Sequence, residues 1–249
     1  MKRRGASLTI LLLSLLAAGC AISPNSNLEE FAESSGSNSF EVFDRGLTSP
    51  AALVLAVEHD RQRSGPSCGA HALASVVNYW RGSGTITGDT IYHDHPPADG
   101  MGYSMTELLA LARDQGLLAS AVRMPRAGMI AELEAGRPVL VPVRLPSIYV
   151  QQRVLPGSDI PGVAIARNAL MYRAGRVSEF SNLAMVNHYL LVVGYEGEGD
   201  AGRFVVVEPV MGYRTISFEK LERYRRAFGD AAIVFSGQPR HAARLGLTG

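Results

Sequence analysis

The chain has 249 residues, of which 47% are hydrophobic and 19% charged, and its formal net charge is +1. This size and composition are typical of one globular domain of up to about 200 residues with a short appendage. The short basic cluster Arg223, Arg225 and Arg226 falls well below the Lys/Arg stripe expected of nucleic-acid-binding proteins, so nucleic acid is excluded as the expected partner.

The first 19 residues have the pattern of an export signal. Residues 2–4 are Lys-Arg-Arg, and the apolar stretch 8–18 is short for a membrane-spanning helix, which needs about 20 apolar residues. The stretch leads into Leu16-Ala-Ala-Gly-Cys20, which resembles the bacterial lipobox. That resemblance implies cleavage after residue 19 and acylation of Cys20, and two or more acyl chains give stable anchoring. Alternatives are an uncleaved anchor helix, or a secreted protein in which Cys20 is incidental.

Cleavage removes three of the 24 basic residues and none of the 23 acidic ones, which leaves a mature net charge of −2. Ala21, and not Asp, follows Cys20. Resemblance to Gram-negative lipoproteins then implies an outer-membrane location on the periplasmic side, although the sequence leaves the leaflet open. Residues 20–50 are rich in Ser, Asn and Gly and cannot bury enough apolar area to offset their ordering entropy. We expect them to form a flexible, lipid-anchored tether.

Helices come first in the folded part of the chain. The stretch Ser67–Trp80 has apolar residues at helical spacing and Ser67 available as N-cap. A second helix is predicted at 104–115, where Ser104 and Glu107 have the spacing of a capping box. A third, short helix is predicted at 127–135.

Strands dominate the second half. They are predicted at 138–143, 188–195, 203–207 and 231–235, with a helix at 217–228 between the last two. Helices followed by mostly antiparallel strands predict an α+β fold rather than an alternating doubly wound sheet. Residues 145–185 contain several Pro and Gly residues and little periodicity, and we expect an insertion or a lid there.

Cys68 lies where a tight turn, Ser64-Gly-Pro-Ser, enters the first predicted helix. The only other cysteine, Cys20, has so different a context that no disulfide is expected. A helix N-terminus stabilises a thiolate and lowers the pKa of its cysteine, and the backbone N–H of Cys68 offers a donor for an oxyanion. Gln62, six residues upstream, can bring its side-chain amide to the same oxyanion. The alternative is a buried, inert cysteine.

A thiolate nucleophile needs a base within hydrogen-bond reach. The candidates are all six histidines of the chain: His59, His71, His93, His95, His188 and His241. His71 is one helical turn beyond Cys68, but a partly buried structural histidine is the alternative there. His188 begins a predicted strand, and the next predicted strand leads into Glu208. An antiparallel neighbour could therefore bring this carboxylate to the far nitrogen of the His188 ring.

A possible metal site lies in a Pro-rich stretch. His93, Asp94, His95 and Asp99 offer nitrogen and oxygen ligands there, but a zinc centre needs a third or fourth ligand placed by the fold. We therefore expect an exposed polar loop and no metal. The glycines form no phosphate-binding pattern, and no cofactor is expected.

Three motifs, taken in chain order, resemble the double-glycine, or bacteriocin-processing, cysteine peptidases of the papain-like clan. They are Gln62 followed after five residues by Cys68-Gly, then His188-Tyr-Leu-Leu-Val-Val-Gly, then Glu208-Pro-Val-Met-Gly. The resemblance implies a papain-like α+β domain at 51–237, with the helix of the cysteine packed on an antiparallel sheet, and a tail at 238–249. It also implies Cys68 as nucleophile, His188 as general base and acid, Glu208 as orienting carboxylate and Gln62 as oxyanion donor.

Three departures from the family pattern stand out. Ser67 and Glu208 each replace an Asp, and the insertion at 145–185 is longer than expected. Because Glu is one methylene longer than Asp, its strand has to lie slightly farther from the histidine. Transporter-linked members also carry membrane helices and an ATPase, for which this chain is too short, so cleavage of leaders in the cytoplasm is not expected.

The expected function is that of a membrane-anchored thiol hydrolase, a cysteine peptidase that cleaves a peptide or amide bond in the cell envelope through an acyl-enzyme. Its expected partners are a peptide or protein substrate and the membrane. One alternative is a catalytically silent papain-like module that only binds peptides, which the changes at Ser67 and Glu208 favour. The other is an acyl or amide transferase that uses the same triad. The sequence identifies neither the substrate nor the oligomeric state.

Overall fold

The structure is a computed structural model that describes residues 52–63, 65–150, 170, 173–197 and 199–236. All of these belong to one structural unit. The predicted signal segment 1–19, tether 20–50 and tail 238–249 lie outside the described residues, and so does Cys20. None of the described helices is long and apolar enough to cross a membrane.

The described helices alternate with strands only in part. They are α1 (Cys68–Arg81), α2 (Gly88–Asp94), α3 (Met105–Asp114), α4 (Arg126–Glu134), α5 (173–181) and α6 (Phe218–Arg225). The strands are β1 (Leu53–Val54), β2 (Leu118–Arg123), β3 (Val139–Pro146), β4 (Met185–Glu196), β5 (Arg203–Glu208), β6 (Gly212–Ser217) and β7 (Ala231–Ser236).

The strands form one sheet in the order β2-β7-β3-β4-β5-β6, and β1 pairs with β4. Every described pairing is antiparallel. This confirms the predicted α+β class. Gly194 is needed where β1 joins β4, because a Cβ at that position would lie 2.1 Å from the carbonyl oxygen of Leu53.

Helix α1 packs on the sheet through a face with no exposed surface, which includes Leu73, Val76 and Val77. On another side it meets α3 closely, because a Cβ at Gly69 would lie 3.2 Å from Leu108. The tilted ring pair Phe204 and Phe218, with centroids 4.5 Å apart, joins β5 to α6. The helix that begins at the cysteine is therefore held against the sheet by core packing on several sides.

Helix α3 begins with the predicted capping box. The Ser104 hydroxyl accepts from Glu107 N at 3.2 Å, and the Glu107 carboxylate accepts from Ser104 N at 2.7 Å. Ser67 occupies the N-cap position of α1, but its side chain makes no capping hydrogen bond there.

Replacing Ser104 by Ala is expected to lower the free energy of unfolding by about 1 kcal/mol, because the Glu107 N–H of the first turn loses its acceptor, the Ser104 hydroxyl. Denaturant unfolding of the two proteins measures the difference. Thr106→Ala, an exposed change in the same helix, is the control and should leave stability unchanged within about 0.5 kcal/mol. Equal effects of the two changes would contradict the capping role.

Three strands and two helices were not predicted: β1, β2, β6, α2 and α5, the last of which lies inside the predicted insertion 145–185. Strand β2 has small residues and is mostly exposed, β6 begins with Gly and contains Arg and Thr, and β1 has only two residues. Helix α2 has seven residues, and its start is marked by Thr87, whose side chain accepts from Thr90 N. The prediction of a loop around His93 and Asp94 was therefore wrong, since both lie in the last turn of this helix.

The predicted insertion starts later than expected. Strands β3 and β4 stay paired up to Leu145 with Val186 and Pro146 with Met185, and Ser147 N donates to the Ala184 carbonyl at 2.8 Å. The segment thus leaves and returns at the closed end of a hairpin. Residues 151–169, 171 and 172 lie outside the described residues, so a lid there stays a prediction.

The basic cluster near the end of the chain is divided by the fold. Arg225 is buried and donates to the carbonyl oxygens of Met124 at 2.9 Å and Asp230 at 2.7 Å. Arg223 lies 3.6 Å from the Glu179 carboxylate. These two arginines therefore serve local structure.

Candidate active site

Cys68 is the first residue of α1. The turn before it contains Gly65 with a φ of 75°, a backbone conformation that favours glycine. The first hydrogen bond of the helix runs from His71 N to Ser67 O at 3.1 Å, so the N–H of Cys68 precedes the helical ladder and can serve a ligand. The cysteine is free, and the residue is partly exposed.

His188 lies on β4, directly opposite Val143 of β3. The strand begins three residues earlier, at Met185, so His188 is inside the strand rather than at its start as predicted. Its ring is buried, with 6% of the residue exposed, and its Nε2 donates to Glu208 Oε1 at 2.6 Å.

The thiol of Cys68 and the ring of His188 are hydrogen-bonded to each other. Because Nε2 is bonded to Glu208, Nδ1 is the ring nitrogen that serves the thiol. Helix α1, β4 and β5 therefore each contribute one member of a continuous chain of thiol, imidazole and carboxylate.

Glu208 is the last residue of β5, and only 5% of it is exposed. Its Oε1 also accepts from Val210 N at 3.0 Å, and its Oε2 accepts from Met211 N at 2.5 Å. The turn that follows the strand thus wraps around the carboxylate. The longer side chain of Glu fits here because it reaches both the imidazole and this turn.

The charges of the thiol and the imidazole stabilise each other. Burial disfavours the thiolate, but the positive charge and hydrogen bond of His188 and the backbone N–H groups of Tyr189 and Gly69 outweigh it, and the pKa of Cys68 is lowered. Burial likewise disfavours the imidazolium, but the thiolate and Glu208 raise the pKa of His188 to about 10. Between the two pKa values the pair exists as thiolate and imidazolium.

Gln62 lies beside the turn that enters α1. It is buried, and its side-chain amide donates to the carbonyl oxygen of Gly65 at 2.6 Å, while its backbone N–H donates to Pro209 O at 2.8 Å. The side-chain amide is thus bonded to the backbone of the turn that enters α1, at a residue three positions before Cys68.

Two donors to the thiolate were missed from the sequence: the backbone N–H groups of Tyr189 and Gly69. For Tyr189, the sequence offered one signal: this residue directly follows the predicted base His188 on a strand, so its backbone N–H lies close to the base. The Tyr189 hydroxyl donates to Tyr103 O at 2.9 Å, which fastens β4 to the loop before α3.

The other candidate bases lie elsewhere. His71 is paired with Asp60 at 3.1 Å and Asp89 at 3.5 Å, and His59 donates to a carbonyl oxygen. His241 is outside the described residues. Over residues 52–236, in the parts that are described, no group of three or more His, Cys, Asp or Glu side chains could hold a metal ion.

A pocket borders Glu208 on the sheet face under Tyr149 and Tyr224. It encloses about 340 Å³ of empty space, part of it open to solvent, and most of its lining residues are apolar. Neither Cys68 nor His188 lines it, so a bond under attack by the thiol would lie outside this pocket.

No protein-family model matches the chain, and no curated protein matches it. Among solved structures, the peptidase domain of Streptococcus ComA, a bi-functional ABC transporter involved in a quorum sensing pathway, is 12% identical with a TM-score of 0.44 and covers 76% of this chain and 99% of its own. A protein described as a C39-like peptidase from Bacillus anthracis is 14% identical with a TM-score of 0.48, over 76% of this chain and 99% of that one.

A double glycine motif protease from an AMS/PCAT transporter, solved in complex with the leader peptide, is 16% identical with a TM-score of 0.40 and covers 74% of this chain and 96% of its own. All three of these structural neighbours are described as peptidases or proteases.

Proposed function

We propose that the protein is a cysteine hydrolase of the papain-like type that cleaves a peptide or amide bond. The observation that supports this most directly is the hydrogen-bonded chain of Cys68, His188 and Glu208 at the N-terminus of a helix. A structural cysteine needs neither a buried imidazolium partner nor a carboxylate fixed by two backbone N–H groups.

In the first half of the reaction, the Cys68 thiolate attacks the carbonyl carbon of the substrate. The electron pair of the C=O bond moves to the oxygen, and this oxyanion is stabilised by the backbone N–H of Cys68 and the side-chain amide of Gln62. His188, as imidazolium, gives its proton to the departing amine. The C–N bond breaks, and the acyl group remains on the sulfur as a thioester.

In the second half, His188 is neutral and removes a proton from water as the water oxygen attacks the thioester carbonyl. The C–S bond breaks, the carboxylic acid leaves, and the thiolate and imidazolium are restored. Glu208 holds the ring in one orientation through Nε2 and stabilises its positive charge throughout.

We further propose that the chain is anchored through lipid on Cys20, at the periplasmic side of the outer membrane of a Gram-negative cell. The support for this is the sequence pattern at residues 2–20 and the polar composition of residues 20–50. The substrate would then be a peptide or protein in the cell envelope.

The test is cleavage of a mixed peptide library by the full chain in detergent or vesicles, with Cys68→Ala as the matched control. Mass spectrometry should find new peptide N-termini, and an acyl group on Cys68 after rapid quenching, in the unchanged protein only. Equal cleavage by Cys68→Ala would contradict the proposal. Peptide binding without cleavage would also contradict it, in favour of a silent binding module, and transfer of the acyl group to an added amine in preference to water would favour a transferase.

A further inference from the structure

The segment Leu55–Gln62, here called the strap, touches both the sheet and the helices. At its start Leu55 N donates to Val193 O of β4 at 2.8 Å, and the Val57 N–H donates to the Tyr213 hydroxyl of β6 at 3.2 Å. Its end lies beside the turn that leads into Cys68. The strap is thus in contact with the elements that carry each of the three reacting side chains.

On the sheet side, the strap holds the turn behind Glu208. His59 Nε2 donates to Pro209 O at 2.9 Å, and Gln62 N donates to the same oxygen at 2.8 Å. Pro209 follows Glu208 directly, and the next two N–H groups of this turn bind the Glu208 carboxylate. The strap therefore supports the turn that fixes the carboxylate.

On the helix side, the described bonds of the strap to α1 and to the start of α2 are made by Asp60. Its N–H donates to the Ser75 hydroxyl at 3.1 Å, and its Oδ2 accepts from His71 Nδ1 at 3.1 Å and from Gly88 N. Both Ser75 and His71 belong to α1, and His71 is one turn from Cys68. The carboxylate of Asp60 therefore joins the strap to the helix of the nucleophile and to the start of α2.

This cluster has little freedom to rearrange. His71 is 1% exposed, and a Cβ at Gly88 would lie 2.4 Å from its ring, so α2 presses directly against the imidazole. The titratable side chains that face Asp60 are His71 from α1 and, beyond it, Asp89 from α2, which lies 3.5 Å from His71 Nε2. A longer side chain at position 60 would have to separate some of these contacts, and a neutral one would offer them a weaker acceptor.

We propose that Asp60 is a positioning residue that sets the distance between the Cys68 thiol and the His188 ring. It does so because two consecutive residues join the two sides of the site. His59 is bonded to the turn after β5, and Asp60 is bonded to α1. This inference rests on the proposed function. The charge of Asp60 itself is not among the influences on the pKa of Cys68, which are burial, His188 and the backbone N–H groups of Tyr189 and Gly69.

The test is the pH dependence of Cys68 alkylation by iodoacetamide in the full chain, followed on the peptide that contains Cys68. In Asp60→Asn, the His71 and Gly88 donors face a weaker acceptor, so α1 is less firmly held and the bond between thiol and imidazole lengthens. We expect the midpoint of alkylation to rise by about one unit, which corresponds to about tenfold less thiolate below it. On a cleaved peptide, kcat should fall about tenfold with KM unchanged.

The matched control is Glu58→Gln. Glu58 is also a carboxylate of the strap, but its exposed side chain binds only the Ser83 hydroxyl among the described contacts, at 2.6 Å. This variant should keep the midpoint of the unchanged chain. Ser75→Ala removes the acceptor of the Asp60 N–H and keeps the Asp60 charge. It should shift the midpoint in the same direction as Asp60→Asn but by less. This variant provides a second measurement if Asp60→Asn folds poorly.

An unchanged or lowered midpoint in folded Asp60→Asn would overturn the proposal, since loss of a negative charge alone can only favour the thiolate. An equal shift in Glu58→Gln would overturn it too. Failure of the proposed function would be distinguishable from failure of this inference. In that case the unchanged chain itself would have an ordinary thiol midpoint or would cleave no peptide, regardless of the results with the variants.

Discussion

Replacing His188 by Ala is expected to slow the alkylation of Cys68 at pH 6 by about a hundredfold or more. In the intact site the imidazolium and its hydrogen bond lower the pKa of the thiol against the effect of burial. Without the ring, burial dominates and raises the pKa above its ordinary value, so the thiolate fraction at pH 6 collapses. The measurement is the rate of carbamidomethylation of the Cys68 peptide by mass spectrometry.

The control for this experiment is His93→Ala, which removes an exposed histidine on α2. Its alkylation rate should equal that of the unchanged chain. If His188→Ala reacts as fast as His93→Ala while remaining folded, then the ring does not activate the thiol and the assignment of the base is wrong.

Replacing Glu208 by Ala is expected to lower kcat on a cleaved peptide by about 10³ to 10⁴-fold, because the His188 ring loses the partner that fixes its orientation and stabilises its charge. Two N–H groups of the following turn lose their acceptor as well. The pKa of His188, raised to about 10 in the intact site, should fall, so the alkaline limb of the pH–rate profile moves to lower pH.

Two further variants sharpen this test. Glu208→Asp restores the residue typical of the resembled family, but here its shorter side chain cannot hold both the ring and the turn, so we expect a loss of about tenfold rather than a gain. Glu219→Ala removes an exposed carboxylate of α6 and should have no effect on kcat. A Glu208→Ala variant that keeps full activity would show that the carboxylate is not part of the reaction.

The parts of the site that follow from local structure could be predicted from the sequence. A cysteine at a helix start and a histidine on one strand with a carboxylate at the end of the next are brought together by antiparallel pairing, and the structure places Cys68, His188 and Glu208 in contact. The way in which the Glu208 carboxylate is held could not be predicted from the sequence. It depends on the N–H groups of Val210 and Met211, and only the geometry of the turn brings these to the carboxylate.

The contacts of the strap could not be predicted from sequence patterns. Residues 55–62 have neither helical nor strand periodicity, and their bonds to Ser75, Pro209 and Tyr213 join residues 15 to 156 positions apart. The same holds for β2 and β6, whose composition is too polar or too small to signal a strand, so that pairing with β7 and β5 decides their structure. Helix α3, by contrast, carries its own capping box and was predicted within one residue.

The most direct test of the central claim is the pH midpoint of Cys68 alkylation in the unchanged, full-length chain. If Cys68 and His188 form a thiolate–imidazolium pair, the midpoint lies clearly below the ordinary thiol pKa of about 8.5, and the rate stays high across neutral pH. A midpoint at or above that value in the folded protein would contradict the account, because Cys68 would then be a thiol that His188 does not activate.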